Sequence, residues 1–330
     1  MQLRQINSGQ VRYGLTLVES LVAIAIVCVL IGLTTMAVQF ARETSRRISC
    51  QNNLKQIGLA LQAYDATHHC FPGLTDRRSS ASPFFWLLPH LESQNEFDAM
   101  LRDYPLHYPS SSSAPAWKES PISSYMCPSD ADAFSGTNYR LNVGTGLYSF
   151  SEMHRPRPPK NAKRGDGFFE EKKLLRFADI TDGLSNTLAI SERCRSDGSR
   201  ANFAADFLSL NFDPDVNVGP LQYLSRCAAA SAADYPISAI SGRSWFISGQ
   251  PFTYYNHIAT PSQIGHDCLH SLELSPPSRN GGIIRSTSNH ANVVNCALGD
   301  GSVRTITYAI NPAAWRAMGT RASGDLNSFE

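Results

Sequence analysis

Neither sign of charge dominates this chain. Its 330 residues carry 29 Lys+Arg against 28 Asp+Glu, a formal net charge of +1. So even a balance exerts no long-range pull toward nucleic acid or an anionic surface. No stripe of Lys/Arg with interleaved aromatics revives a nucleic-acid reading. The eight cysteines form no CxxC, which removes the spacing signal for a zinc ribbon or a thioredoxin-like site. G-x-S-x-G, H-E-x-x-H and a P-loop are also missing. Past Gly73 there is no internal repeat and no ordered helix–strand alternation. What remains is a chain with an ordinary globular composition, 42% hydrophobic, and no catalytic signature.

The informative feature lies near the N-terminus. From Leu15 to Val38 the chain reads LTLVESLVAIAIVCVLIGLTTMAV, 24 residues with one charge, Glu19. As a helix it would be about 36 Å long, enough to cross a bilayer. A signal-peptide core would be shorter and closed by a small-x-small site. A buried core helix would show a polar face somewhere over six turns. The flanking charges do not settle orientation. Arg4 and Arg12 precede the span, Arg42, Arg46, Arg47 and Lys55 follow it, and the excess mildly favours the wrong end inside. A carboxylate in such a span costs on the order of 3 kcal/mol and calls for a partner. The alternative is a side chain that snorkels to the interface.

After Val38 the pattern turns amphipathic without a proline. Cys50, Leu54, Ile57, Leu61, Tyr64 and His68 step by four, three, four, three and four, which places them on one helix face. The run stops at Phe71-Pro72-Gly73. One helix from about Leu15 to His69 is expected, docked by its second half. Cys28 lies in the apolar span and counts as a small hydrophobe. The other seven cysteines are available for disulfides if the rest is exported, and an odd count leaves at least one unpaired or joined to another chain.

Beyond the helix, loops are expected at 109–115, 155–167 and 271–282 from their Pro, Ser and Gly content. Strands are expected over Lys173–Phe177, Thr187–Ser191, Ser244–Ile247, Val293–Leu298 and Ser302–Thr307. The last two flank Gly299-Asp300-Gly301, a tight hairpin turn. Pro312 to Met318 reads as a short helix anchored by Trp315. This pattern predicts an α+β head with antiparallel pairing.

The stretch RYGLTLVES resembles the type IV prepilin cleavage site, with Leu15 where phenylalanine is commonest. That resemblance implies a leader over residues 1–14, cleavage after Gly14 by a prepilin peptidase and methylation of Leu15. It also implies that Glu19, fifth in the mature chain, pairs with the N-terminal amine of a neighbouring subunit. Four further stretches, CQNNLKQIGLALQAY (Cys50 to Tyr64), MCPSD (Met126 to Asp130), DITDGLSNTLAISE (Asp179 to Glu192) and NHANVVNCALGDGSVRTI (Asn289 to Ile306), resemble motifs of the prepilin-like DUF1559 family. The last matches its H-X9-DG motif at 290–301, His290 followed by Asp300-Gly301. Cys127, Asp182, Gly183, Asn186, His290, Asp300 and Gly301 are the family-motif positions. The family also carries a solute-binding name.

The residues themselves allow a few chemistries. A His290–Asp300 pair would orient an imidazole, but a triad also needs a nucleophile, for which Ser302 or a cysteine is only nominal; a hydrogen bond capping the hairpin is the plainer role. His266, Cys268 and His270 alternate as zinc ligands do, although exported cysteines more often form disulfides. Asp179, Asp182 and Asp300 sit beside glycines in turns, where calcium takes oxygen ligands, so Asp182 and Asp300 are the calcium candidates. The alternative for TDGLSN is an Asp-Gly turn closed by Ser185 and Asn186.

The expectation is therefore a pilin-like α+β protein with a long N-terminal helix. Residues 15–39 would be its transmembrane and assembly segment, 40–70 the amphipathic continuation, and 71–330 an antiparallel-sheet head with long loops. It would be a single-pass protein of the cytoplasmic membrane with an extracytoplasmic head, non-enzymatic and without cofactor or resident metal. Its partners would be the prepilin peptidase, other pilin-like subunits and the membrane, with no nucleic acid. The competing expectation is a membrane-tethered solute-binding protein, whose head would own a concave pocket.

Overall fold

The computed structural model describes residues 16–74, 81–103, 120–130, 135–147, 165–170, 173–198, 204–210, 219–270 and 281–324. Gly14, Leu15 and most of the three expected loops (109–115, 155–164 and 271–280) lie outside the described residues. The chain divides into two compact units, residues 1–45 and 46–330. Helix α1, Leu17–His68, contains that boundary. The amphipathic half of α1 therefore belongs to the head, and the division falls a few residues beyond the expected end of the membrane segment.

In the first unit, residues 16–42 are all exposed. This is the only helix among the described residues long and apolar enough to cross a membrane, and none of its most apolar stretch is covered by the protein. Such a surface is a candidate membrane anchor.

The second unit is an α+β head with two mixed sheets. The larger has the order β5-β1-β2-β8-β9, with β1 Tyr139–Asn142, β2 Leu188–Glu192, β5 Tyr254–Tyr255, β8 Val293–Leu298 and β9 Val303–Thr307. The smaller has the order β4-β3-β6-β7, from β3 Phe207–Leu210, β4 Ile237–Ser238, β6 Asp267–His270 and β7 Gly281–Ile283. Pairing is antiparallel except for β1 with β5 and β3 with β6. Shorter helices are α2 Pro83–Leu87, α3 Gln94–Asp103, α4 Pro220–Ala229 and α5 Pro312–Ala317.

The expected stripe is real. Cys50, Leu54, Ile57 and Leu61 are buried with Phe71, Phe85, Leu141, Ile190 and Trp245 in the largest apolar cluster. Tyr64 packs at its edge, and the exposed His68 stacks on it at 4.0 Å. Two expected strands do not form. At residues 173–176 the Leu175 carbonyl accepts from Phe71 N at 2.7 Å, and Arg176 leads into a 3-10 turn at Phe177–Asp179. Ser244 to Ile247 makes a single bridge, Ile247 to Ala81, while Trp245 and Phe246 are buried. In 173–177 Leu175 is the one buried residue, whereas Trp245 and Phe246 are buried without a ladder.

Polar groups are buried as a network. Asp267 on β6 bonds Arg193 and, at 2.5 Å, Arg285 Nε. Arg193 also donates to the carbonyls of Arg285 (2.8 Å) and Ala205 (2.6 Å). Beside them lies the buried Arg140, whose pKa is lowered well below the usual arginine range by burial and then by the neighbouring Arg193. Asp267→Asn removes the counter-charge of two buried guanidinium groups, and equilibrium unfolding should register a loss of about 3–5 kcal/mol. His257 is also buried, hydrogen-bonded to Trp315 O (2.8 Å) and Tyr255 Oη (3.0 Å). Burial brings its pKa down to about 4, against the opposing pull of the Trp315 carbonyl and Asp166. The unfolded imidazole takes up a proton first, so this stability is whole above pH ~6.5 and is lost as pH falls toward 4. By pH 5 it should amount to about 2 kcal/mol less than at pH 7, read as the wild-type minus His257→Gln difference in unfolding free energy.

Candidate functional site

The amphipathic half of α1 is the base on which the head's motif residues assemble. Cys50 forms a disulfide with Cys127. Gln51 Nε2 donates to Asn295 Oδ1 on β8 (3.0 Å) and Thr305 Oγ1 on β9 (2.9 Å). Asn53 Nδ2 donates to Met126 O at 2.8 Å, which fastens the MCPSD loop. Lys55 Nζ donates to Gly301 O at 2.8 Å, and Gln62 Nε2 donates to Asp300 O at 2.5 Å. Between these two, a Cβ built on Gly58 would lie 3.1 Å from Gly301 Cα. Residues 51, 55, 58 and 62 recur at helical spacing, so a single face of α1 carries the β8–β9 hairpin.

The hairpin turn forms as its sequence predicts. Gly301 N donates to Leu298 O at 2.9 Å, and Gly301 has φ +75°. Asp300 Oδ1 accepts from Ser302 N (2.8 Å) and Ser302 Oγ (2.6 Å). Its carboxylate closes its own turn, so Ser302 is not a nucleophile beside a free base.

His290 is not joined to Asp300. The two lie at opposite ends of the six-residue β8, about 20 Å of strand apart. His290 instead faces Glu192, with Nε2 3.6 Å from Oε1, and the disulfide, 3.8 Å from Cys127 Sγ. Glu192 accepts from Asn295 N and Asn295 Nδ2, each at 2.9 Å. A hydrogen-bonded chain therefore runs from Gln51 on α1 through Asn295 to Glu192, whose carboxylate faces His290.

The remaining motif residues are fasteners. Asp182 accepts from Ser323 N (2.8 Å) and Gly324 N (2.9 Å) and so ties down residues 320–324. Gly183 has φ +97°, and Asn186 Nδ2 donates to Asp182 O at 3.2 Å, closing the Asp-Gly turn. Asp179 caps its turn by accepting from Arg176 N at 2.9 Å. Asp130 accepts from Arg195 N (2.8 Å), Asn289 Nδ2 (3.0 Å) and Asn138 Nδ2. Among the described residues, neither Asp182 nor Asp300 belongs to a cluster of metal-ligating groups. The clusters that do occur are Cys50, Cys127, Glu192 and His290, and Cys227, His266 and Cys268. In the second, Cys227 and Cys268 are joined in a disulfide and His266 Nε2 bonds Cys227 O at 3.0 Å, so Cys268 is taken up by a bridge and His266 by a carbonyl.

Of the seven cysteines outside the apolar span, four are bridged and Cys70, Cys194 and Cys296 are free. Burial pushes the Cys194 and Cys296 thiols up to about 12, which removes their nucleophilic form. The sequence reading missed Cys50 and Glu192 as partners of His290. The available signal was the run of charges in SERCR directly after an apolar strand.

In the first unit, Glu19 is locally engaged. Glu19 Oε2 accepts from Thr16 N and Thr16 Oγ1, both at 2.9 Å, while Glu19 N donates to Thr16 Oγ1 at 3.3 Å. This reciprocal pair is a capping box at the head of α1.

The family described as a protein of unknown function (DUF1559) matches residues 39–313. The match spans most of the chain and all four head motifs, and the chain belongs to this family. No curated protein and no solved structure matches it.

The α1–hairpin contact depends on a glycine. Gly301→Ala places a Cβ at φ +75° and against Gln62 Nε2, and should cost about 1–2 kcal/mol in denaturant unfolding. Gln62→Ala alone should leave most of that stability in place.

Proposed function

We propose that this DUF1559 family protein is a non-enzymatic, pilin-like or pseudopilin-like subunit, anchored in the cytoplasmic membrane by α1. In this reading a prepilin peptidase cuts after Gly14, Leu15 is methylated, and the head stands outside the cytoplasm. The observation that carries the reading is the apolar, fully exposed start of α1 with a carboxylate at its first turn. Lipid and neighbouring α1 helices together would cover that surface. Two disulfides in the head suit an oxidising compartment. The absence of a catalytic role is supported by the turn-closing bonds of Asp300 and by its distance from His290.

The capping box sharpens the part assigned to Glu19. It lies wholly after the Gly14–Leu15 bond, so cleavage leaves it intact. Oε2 takes both Thr16 bonds, and in this reading the N-terminal amine of a neighbouring subunit would meet the same carboxylate through Oε1. The two roles of Glu19, cap and counter-charge, are separable. Glutamine serves equally in a capping box but carries no charge.

Membrane preparations of wild type, Glu19→Ala and Glu19→Gln should all yield a mature N-terminus at a methylated Leu15 by mass spectrometry. Crosslinking through the helix should give oligomer ladders for wild type and for neither variant. Ladders of normal strength from Glu19→Gln would reduce Glu19 to a cap. A mature N-terminus elsewhere would remove the cleavage assignment. A wild-type monomer holding a small ligand would favour the tethered solute-binding protein.

A further inference from the structure

The four stretches that carry the family resemblance lie far apart in sequence, yet each supplies one metal-ligating group to a single point. Cys50 comes from α1, Cys127 from the loop after the 3-10 turn Ser123–Tyr125, Glu192 from the end of β2 and His290 from the segment before β8. Their ligand atoms lie within 4.8 Å of one another, and all four residues are buried. Packing alone does not call for a carboxylate and an imidazole against a disulfide.

The spacing is informative. His290 Nε2 stands 3.6 Å from Glu192 Oε1 and 3.8 Å from Cys127 Sγ. The first is too long for a hydrogen bond. In a tetrahedral site two ligand atoms are separated by about 1.6 bond lengths. With Zn–S near 2.3 Å and Zn–N or Zn–O near 2.0–2.2 Å, the edges come to ~3.3–3.8 Å. His290 therefore holds ligand-to-ligand spacing from both neighbours. The carboxylate is oriented from behind by Asn295 N and Asn295 Nδ2, which is the outer-shell support that metal-binding side chains need.

We propose that the dithiol form of Cys50 and Cys127, with His290 and Glu192, is a binding site for a divalent metal ion of zinc's preferences, and that closing the disulfide expels the ion. In the closing step two thiolates give up one electron each to the disulfide of a thiol–disulfide oxidoreductase. The Cys50–Cys127 bond forms, the acceptor's S–S bond opens to two thiolates, and Zn2+ leaves with its charge unchanged. The metal would hold the four stretches in register until oxidation replaces it with a covalent link. The inference stands independently of the pilin-like reading, since it concerns the head alone.

The test uses the full chain in detergent with Cys227→Ser/Cys268→Ser, so that Cys50–Cys127 is the one disulfide to be reduced. Zn2+ is titrated against a chromophoric chelator, and Co2+ serves as the spectroscopic reporter. The reduced protein should take up one Zn2+ per chain and show a thiolate-to-cobalt charge-transfer band, and the oxidised protein should do neither. His290→Gln should weaken Zn2+ binding at least ~10-fold and shift the cobalt spectrum. Repeating the His290→Gln comparison with Cys227 and Cys268 in place removes any dependence on the serine variant folding. Equal uptake by the oxidised protein, no uptake by the reduced protein, or uptake indifferent to His290→Gln would overturn the proposal. If reduction abolishes the near-UV circular dichroism of the head, its recovery on adding Zn2+ supports the site, and failure to recover overturns it.

Discussion

Gly58 of α1 lies against Gly301 of the β8–β9 turn: a Cβ on Gly58 would sit 3.1 Å from Gly301 Cα, and Gly301 itself holds the positive φ that the turn requires. Two backbones that near each other need their polar groups matched, because water is excluded between them. Lys55 and Gln62, one turn to either side of Gly58, take the Gly301 and Asp300 carbonyls. Once the turn sits there, β8 and β9 run under the helix and Gln51 reaches Asn295 and Thr305. The motif residues of the helix and of the hairpin are thus two halves of one contact.

The polar interior follows from that contact. With β8 fixed, Asn295 holds the Glu192 carboxylate, and Glu192 faces His290 beside the Cys50–Cys127 disulfide. Directly after β2 ends at Glu192, Arg193 enters the Asp267–Arg285 network. The end of β2 thus delivers a carboxylate to one buried cluster, and the residue that follows it delivers a guanidinium to the next. Groups so buried are costly to leave unpaired, and this accounts for charged residues directly after an apolar strand.

Much of this was legible in the sequence because the relevant signals are local. The spacing of Cys50, Leu54, Ile57 and Leu61 specified the buried face of α1. The Asp-Gly pair specified the hairpin, whose β8 and β9 lie at 293–298 and 303–307. The short helix expected from Pro312 forms over Pro312–Ala317 with Trp315 buried, and the structure adds Asn311 as its cap, accepting from Ala313 N at 2.8 Å. The errors came where burial and strand pairing part company. Residues 173–177 read as a strand but bury Leu175 alone, and in 244–247 Trp245 and Phe246 pack against Tyr125 and Phe85 instead of a neighbouring ladder. Strands β1, β3 and β6 were missed because they are four residues each, too short for alternation to stand out. The Asp182 and Asp300 carboxylates looked like ligands in the sequence, yet each is taken up by N–H donors, which no spacing reveals.

By itself, then, the sequence determined the apolar segment and its lone carboxylate, the docking face of α1, the hairpin turn and the family, since each depends on residues close together in the chain. Tertiary structure alone decided which cysteines pair, that His290 meets Glu192 and not Asp300, and that four separate stretches share one point. Those outcomes rest on contacts between residues 41 to 240 positions apart, and it is the crossing of helix and sheet that sets such distances.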